Sequence, residues 1–184
     1  MKKLYLLFAF LLFTNTVIYA QNSLDTTTDK DEIKLNVFNL VVFKYLDGAY
    51  ERVIDEESSY GVAALVNLGD DSDTFDLLRE FSITPYYRRY FSKGYAKGFF
   101  VEGFGMLNQT SDEFFINYNE QTMESTYNTE KYTDFAVGVS LGGKFISKRG
   151  FVAEVYGGVG RNLFNTDNTV DFVGRGGISL GFRF

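Results

Sequence analysis

The chain has 184 residues, with 18 basic against 24 acidic side chains and a formal net charge of −6, a balance that argues against nucleic acid as a partner. It contains no histidine and no cysteine. That excludes Ser-His-Asp and Cys-His nucleophile systems, disulfides and the usual zinc sites.

Met1-Lys2-Lys3 is a short basic start, Leu4 to Phe13 is apolar, and Ile18-Tyr19-Ala20 precedes the polar Gln21. This is the pattern of a secretory signal peptide over residues 1–20. The apolar run is shorter than the roughly 20 residues a spanning helix needs, and Thr14-Asn15-Thr16 interrupts it. Cleavage removes Lys2 and Lys3, leaving 16 basic against 24 acidic residues, a mature charge of −8. With no cysteine after the cut, the product is not a lipoprotein. Residues 21–31 (QNSLDTTTDKD) are polar and aperiodic, as in a flexible leader. Residues 32–184 form the remaining domain. No later apolar stretch reaches helical membrane length, so a spanning form must be a barrel.

Eight strands are expected: Glu32–Phe43, Gly48–Ile54, Tyr60–Leu68, Phe81–Phe91, Gly98–Asn108, Tyr132–Ile146, Phe151–Phe164 and Asp171–Phe184. About 11 residues per tilted strand span a bilayer core. The eighth strand alternates from Phe172 through Ile178, Leu180 and Phe182 to Phe184, with Arg175, Ser179 and Arg183 on the other face. A closing strand ending on an aromatic is the pattern of outer-membrane barrels, so Phe182 and Phe184 are expected to form the assembly signal read by the barrel assembly machinery. The links after the even strands are short (55–59, 92–97 and 147–150). Those after the third, fifth and seventh are longer (69–80, 109–131 and 165–170), as expected for short periplasmic turns and long outer loops. The fold class is therefore all-β, an eight-stranded antiparallel up-and-down transmembrane β-barrel.

In the sixth strand Phe135, Val137, Val139, Leu141 and Phe145 oppose Asp134, Ala136, Gly138, Ser140, Gly142 and Lys144. Turning the polar set inward places Lys34, Glu51, Arg88, Glu102, Asp134, Lys144, Glu154, Arg175 and Arg183 in the lumen. These five bases and four acids nearly balance, as a plugged interior requires. Arg175 is expected near Glu154 and Asp134. Pro85 removes a ladder donor inside the fourth strand, so a bulge or a local break is expected there.

Four blocks carry a further resemblance: Tyr50-Glu51-Arg52-Val53-Ile54-Asp55-Glu56-Glu57-Ser58-Ser59, Thr84-Pro85-Tyr86-Tyr87-Arg88, Gly98-Phe99-Phe100-Val101-Glu102-Gly103-Phe104-Gly105-Met106, and Val173-Gly174-Arg175-Gly176-Gly177 with Gly181-Phe182-Arg183-Phe184. Together they resemble the domain-of-unknown-function 3575 family of small exported proteins, over about Glu32 to Phe184. The resemblance implies an outer-membrane barrel and supplies no catalytic residues.

Other motifs are weaker. Gly157-Gly158-Val159-Gly160 lacks the spacing of a dinucleotide loop and reads as strand packing. Asp70, Asp71, Asp73 and Asp76 fit no EF-hand register. The segment 109–131 carries Phe114, Phe115, Tyr118 and Tyr127, which suit either a contact surface or a strand extension. The expectation is a monomeric outer-membrane barrel in contact with outer-membrane lipid, with no catalytic residues, cofactor or metal, and with loops 69–80 and 109–131 offered to a surface partner. The alternative is a soluble periplasmic lipocalin-like barrel, apolar face inward, binding a hydrophobic ligand. The purified mature protein is expected to begin at Gln21, which N-terminal sequencing checks; retained Met1 would remove the export argument.

Overall fold

The computed structural model describes residues 30–69, 79–92, 95–119, 124–164 and 172–184, with the side chains of 111–131 outside the description. The expected signal, most of the expected leader and the Asp70–Asp76 motif therefore lie outside the described residues. The strands are β1 (Asp31–Asn36), β2 (Tyr45–Val53), β3 (Ser58–Asn67), β4 (Arg79–Tyr90), β5 (Gly98–Asn119), β6 (Glu124–Ile146), β7 (Phe151–Asn162) and β8 (Phe172–Arg183), with a helix α1 (Val37–Phe43) after β1. The strands pair antiparallel in chain order and β8 closes on β1, a sealed eight-stranded up-and-down barrel.

The first strand is shorter than its sequence suggests. Val37–Phe43 is apolar except for Asn39, a run whose periodicity does not separate strand from helix, and its three valines favour a strand. The Asn36 side chain decides otherwise: it accepts the Asn39 N–H at 3.1 Å, a helix N-cap. Lys44, left-handed at φ 56° and ψ 28°, ends the helix. β1 therefore leaves the sheet at Asn36, opposite Ser179. Phe172–Ile178 of β8 and Tyr45–Asp47 of β2 continue with no strand between them, and α1 packs there instead.

That stretch of β8 is an edge whose backbone groups need partners. Asp31 and Phe184 exchange both backbone bonds, at 3.1 and 2.8 Å, so even-numbered β8 residues point their amides and carbonyls toward β1. Where β1 is missing, side chains take its place. Asn36 Nδ2 donates to Gly176 O at 3.1 Å and Arg79 Nη2 donates to Gly174 O at 3.0 Å.

Pro85 produces a break and no bulge. β4 keeps one register with β5 on either side of it, Ile83 opposite Leu107 and Tyr86 opposite Phe104, while Thr84 and Pro85 make no ladder pair on that side. Phe91 N–H donates to Phe99 O, so odd-numbered β4 amides face β5. The donor that Pro85 lacks is one of these. The irregularity in this pair falls instead between Arg79 and Phe81.

β5 and β6 run on as a two-stranded ribbon. Above Thr110 and Ala136 they pair only with each other, out to Asn119 opposite Glu124. About nine residues of strand correspond to roughly 30 Å of extension past the rim. Loop 109–131 is thus largely this hairpin, and its aromatic side chains lie outside the described residues.

The short-turn end is closed by the β4–β5 turn. Tyr95 and Ala96 adopt positive φ (28° and 50°), Ala96 is fully buried, and its N–H donates to Glu56 O at 2.8 Å. Asp55, exposed in the β2–β3 turn, is held below the usual carboxylate range by hydrogen bonds from the Ser58 side chain and the Glu57 N–H.

Closure at β1–β8 depends on close approach at Gly181. A Cβ there would lie 2.1 Å from Ile33 O and 2.7 Å from Lys34 Cγ, whereas one at Gly143 meets nothing within 4 Å. Gly181→Val is expected to cost about 1–3 kcal/mol or to prevent closure, and Gly143→Val to be tolerated. Heat-dependent SDS mobility of the refolded variants reads the difference.

Candidate functional site: the buried charge network

Alternation along each strand sends one set of side chains into a narrow lumen. Lys34, Glu51, Arg88, Glu102, Lys144, Glu154, Arg175 and Arg183 all point inward and are buried. So is Glu32, two residues before Lys34 on the same face, which the sequence reading overlooked. The same two-residue spacing that identified Lys34 would have found it.

These nine groups form one connected system. Arg183 Nε donates to Glu32 at 2.8 Å, and Glu32 takes Lys144 at 2.8 Å. Lys144 and Lys34 both reach Glu51 in close ion pairs. Glu51 also accepts Arg88 Nη1 at 2.8 Å, Ser59 Oγ at 2.6 Å, Tyr90 OH at 2.8 Å and Tyr86 OH at 3.2 Å. Glu154 accepts Lys34 at 2.9 Å and Arg88 at 2.8 Å. Glu102 accepts Arg88 Nε at 2.7 Å, Arg175 Nε at 2.8 Å and Ser140 Oγ at 3.1 Å. Lys34, Arg88, Lys144, Arg175 and Arg183 against Glu32, Glu51, Glu102 and Glu154 leave one positive charge over. The Arg88 guanidinium also lies over the Phe100 ring, 4.3 Å from its centroid, and over the Tyr86 ring at 4.6 Å.

The partner of Arg175 differs from expectation: it is Glu102, neither Glu154 nor Asp134. The register explains this. Ser59, Arg88, Glu102, Ser140, Gly158 and Arg175 lie side by side on successive strands β3 to β8. Ser140 and Gly158 are small enough for the arginine to cross above them, and a Cβ on Gly158 would meet Ser140 Oγ at 2.3 Å. Asp134 is buried nearer the long-loop end, opposite Asn108.

Arg183 also donates to Tyr95 O at 2.8 Å and Ala96 O at 3.2 Å, binding the tucked turn to the network. Above the network the lumen changes character. Asp47 accepts Asn36 Nδ2 at 2.9 Å and Asn39 Nδ2 at 2.8 Å. Beyond these groups a cavity of about 570 Å³ opens in the loop half of the barrel. Among the described residues no cluster of Asp and Glu is arranged to hold a metal ion, and every network carboxylate faces a cation. The arrangement locks strands together and offers no free acid-base pair. Phe184 exchanges backbone bonds with Asp31, and Phe182 stacks edge-on against Phe151 with ring centroids 5.7 Å apart.

No protein-family profile matches the chain, and no curated protein does. Among solved structures it is similar to the N-terminal β-barrel domain of Pseudomonas aeruginosa OprF. The TM-score is 0.53 at 12% identity, covering 85% of this chain and 98% of that one. At that identity the likeness is one of fold: the same eight-stranded barrel.

Glu51 holds three cations, so Glu51→Gln is expected to cost about 3–5 kcal/mol in urea unfolding of the micelle-refolded protein. Arg175→Leu is expected to cost less, about 1–3 kcal/mol, because Glu102 keeps Arg88 and Ser140. The outward-facing Arg161→Leu should stay within about 0.5 kcal/mol.

Proposed function

We propose that the chain is an integral outer-membrane β-barrel of structural or surface-interaction type. It works as a monomer, has a lumen filled by charged pairs in its short-turn half, conducts no ions and catalyses no reaction. One observation carries this reading: the barrel is inside out relative to a soluble protein. Its inward register holds ion pairs, while Ile33, Val62, Val139, Leu141, Val155 and Val159 are exposed on the outer wall. A lipocalin-like barrel turns its apolar residues inward and its charges to water, which speaks against the soluble ligand-binding alternative. An apolar wall of this extent needs lipid to cover it.

The ends of the wall support the same placement. Phe91, Phe99, Phe145 and Phe184 ring the short-turn end, and Phe164 and Phe172 the other; all are exposed. Aromatic girdles at both interfaces mark a transmembrane barrel. The short turns then face the periplasm, and the β5–β6 ribbon stands outside the cell as the element placed to meet a surface partner. Phe182 and Phe184 act as the signal for the barrel assembly machinery. The resemblance to the domain-of-unknown-function 3575 family, which no profile match tests, implies the same reading.

Two measurements test it. The protein is expected in the detergent-extracted membrane fraction, not in the osmotic-shock release, and it should give no stable conductance steps in a planar bilayer. A folded soluble protein would sink the membrane assignment, and large steps would show that the ion pairs do not fill the lumen.

A further inference from the structure

The loop half of the lumen has features that a plugged structural barrel does not need. The β1–β8 ladder stops at Asn36 opposite Ser179, so the wall above it is sealed by α1 and two side-chain bonds, with no strand. Behind this seam lies the cavity of about 570 Å³, within the roughly 300–1,000 Å³ range of small-molecule sites. Phe38 and Phe43 of α1, Leu65, Met106 and Val173 give it an apolar lining, to which Gly176 and Gly177 of β8 add bare backbone.

Its polar groups have one sign in excess. Asp47 is the one carboxylate among the lining residues and is already held by the amides of Asn36 and Asn39. Against it stand two guanidinium groups. Arg175 is nine-tenths buried, donates through Nε to Glu102, lies over the Tyr86 and Tyr156 rings at 5.1 and 5.3 Å, and lines the cavity. Arg79 spans the mouth from β4 to β8, and its one described hydrogen bond is to the Gly174 carbonyl. A guanidinium has five N–H donors, and a carboxylate fits them two at a time.

The outer surface beside the seam is also relieved. Gly174 and Gly176 point outward on β8 and Gly157 lies beside them on β7, with no side chain over the backbone. A Cβ on Gly157 or Gly174 would meet nothing within 4 Å. This leaves a trough between the exposed Phe172 and Ile178 that runs along the seam.

Resting on the membrane reading above, we infer that this cavity binds a single-chain fatty carboxylate taken sideways from the outer leaflet. The chain enters through the seam between β8 and α1, and the head group pairs with Arg79 and Arg175. Entry through the wall suits an amphiphile, because its chain never leaves an apolar surface while its head follows the two cations.

The test uses the full mature protein in lipid nanodiscs, titrated with the fluorescent fatty acid cis-parinaric acid and, by competition, with hexadecanoic acid and hexadecanol. The expected result is saturable binding of one equivalent above empty discs, with the acid favoured over the alcohol. Arg79→Gln should weaken the acid about tenfold and leave the alcohol unchanged, as loss of a charge-assisted pair predicts. Gly174→Leu, whose Cβ would meet nothing within 4 Å and whose side chain extends into the trough, should slow uptake while heat-dependent SDS mobility stays that of the wild type. Embedded, folded protein with no saturable binding would overturn this inference and leave the structural reading intact. So would an acid-to-alcohol ratio that ignores Arg79→Gln. Wild-type uptake unaffected by Gly174→Leu would overturn the lateral route. Protein that folds but does not enter nanodiscs would overturn the membrane reading and the lateral route together.

Discussion

Nine ionised groups occupy a lumen just wide enough for side chains, and the desolvation of each must be offset by its neighbours. Glu51 bears most of this burden. It faces Lys34, Lys144 and Arg88 and also accepts bonds from Ser59, Tyr86 and Tyr90. Small residues are distributed accordingly. Gly61, next to Glu51, gives up its side-chain volume to the Tyr86 ring, since a Cβ there would lie 2.5 Å from it. Ser140 and Gly158 do the same beneath Arg175. Other inward glycines mark where a ring comes close: Gly138 and Gly160 face Phe104, and Gly142 faces Phe100.

The consequence is a barrel of two unlike halves. Toward the short turns, ion pairs and the buried Ala96 turn fill the section. Toward the long loops the lumen holds asparagines, the carboxylates of Asp47 and Asp134, and empty volume, and the wall loses a strand. The transition falls at Asn36, which caps α1, holds Asp47 and satisfies Gly176 O. Few single residues here serve so many elements.

Much of this was legible in the sequence because strand alternation is a strict period of two. It placed Glu102, Lys144, Glu154, Arg175 and Arg183 inward, and the unequal connectors marked which end carries the long loops. It failed where a different rule governs. The valine-rich run after Asn36 reads as strand until its N-cap is recognised. Arg175's partner depends on register across four strands, which alternation along one strand does not specify. Glu32 was lost at a strand boundary, where the pattern is weakest.

Arg183 has a meaning for the order of events as well as for the finished fold. Its guanidinium joins Glu32 on the first strand to the carbonyls of Tyr95 and Ala96 in the middle of the chain. Without the eighth strand Glu32 lacks one of its three cations, and the tucked turn lacks the donor that holds its carbonyls. Sealing the seam and seating the floor therefore depend on the same side chain, and a barrel without its eighth strand would keep both an unpaired edge and an open base.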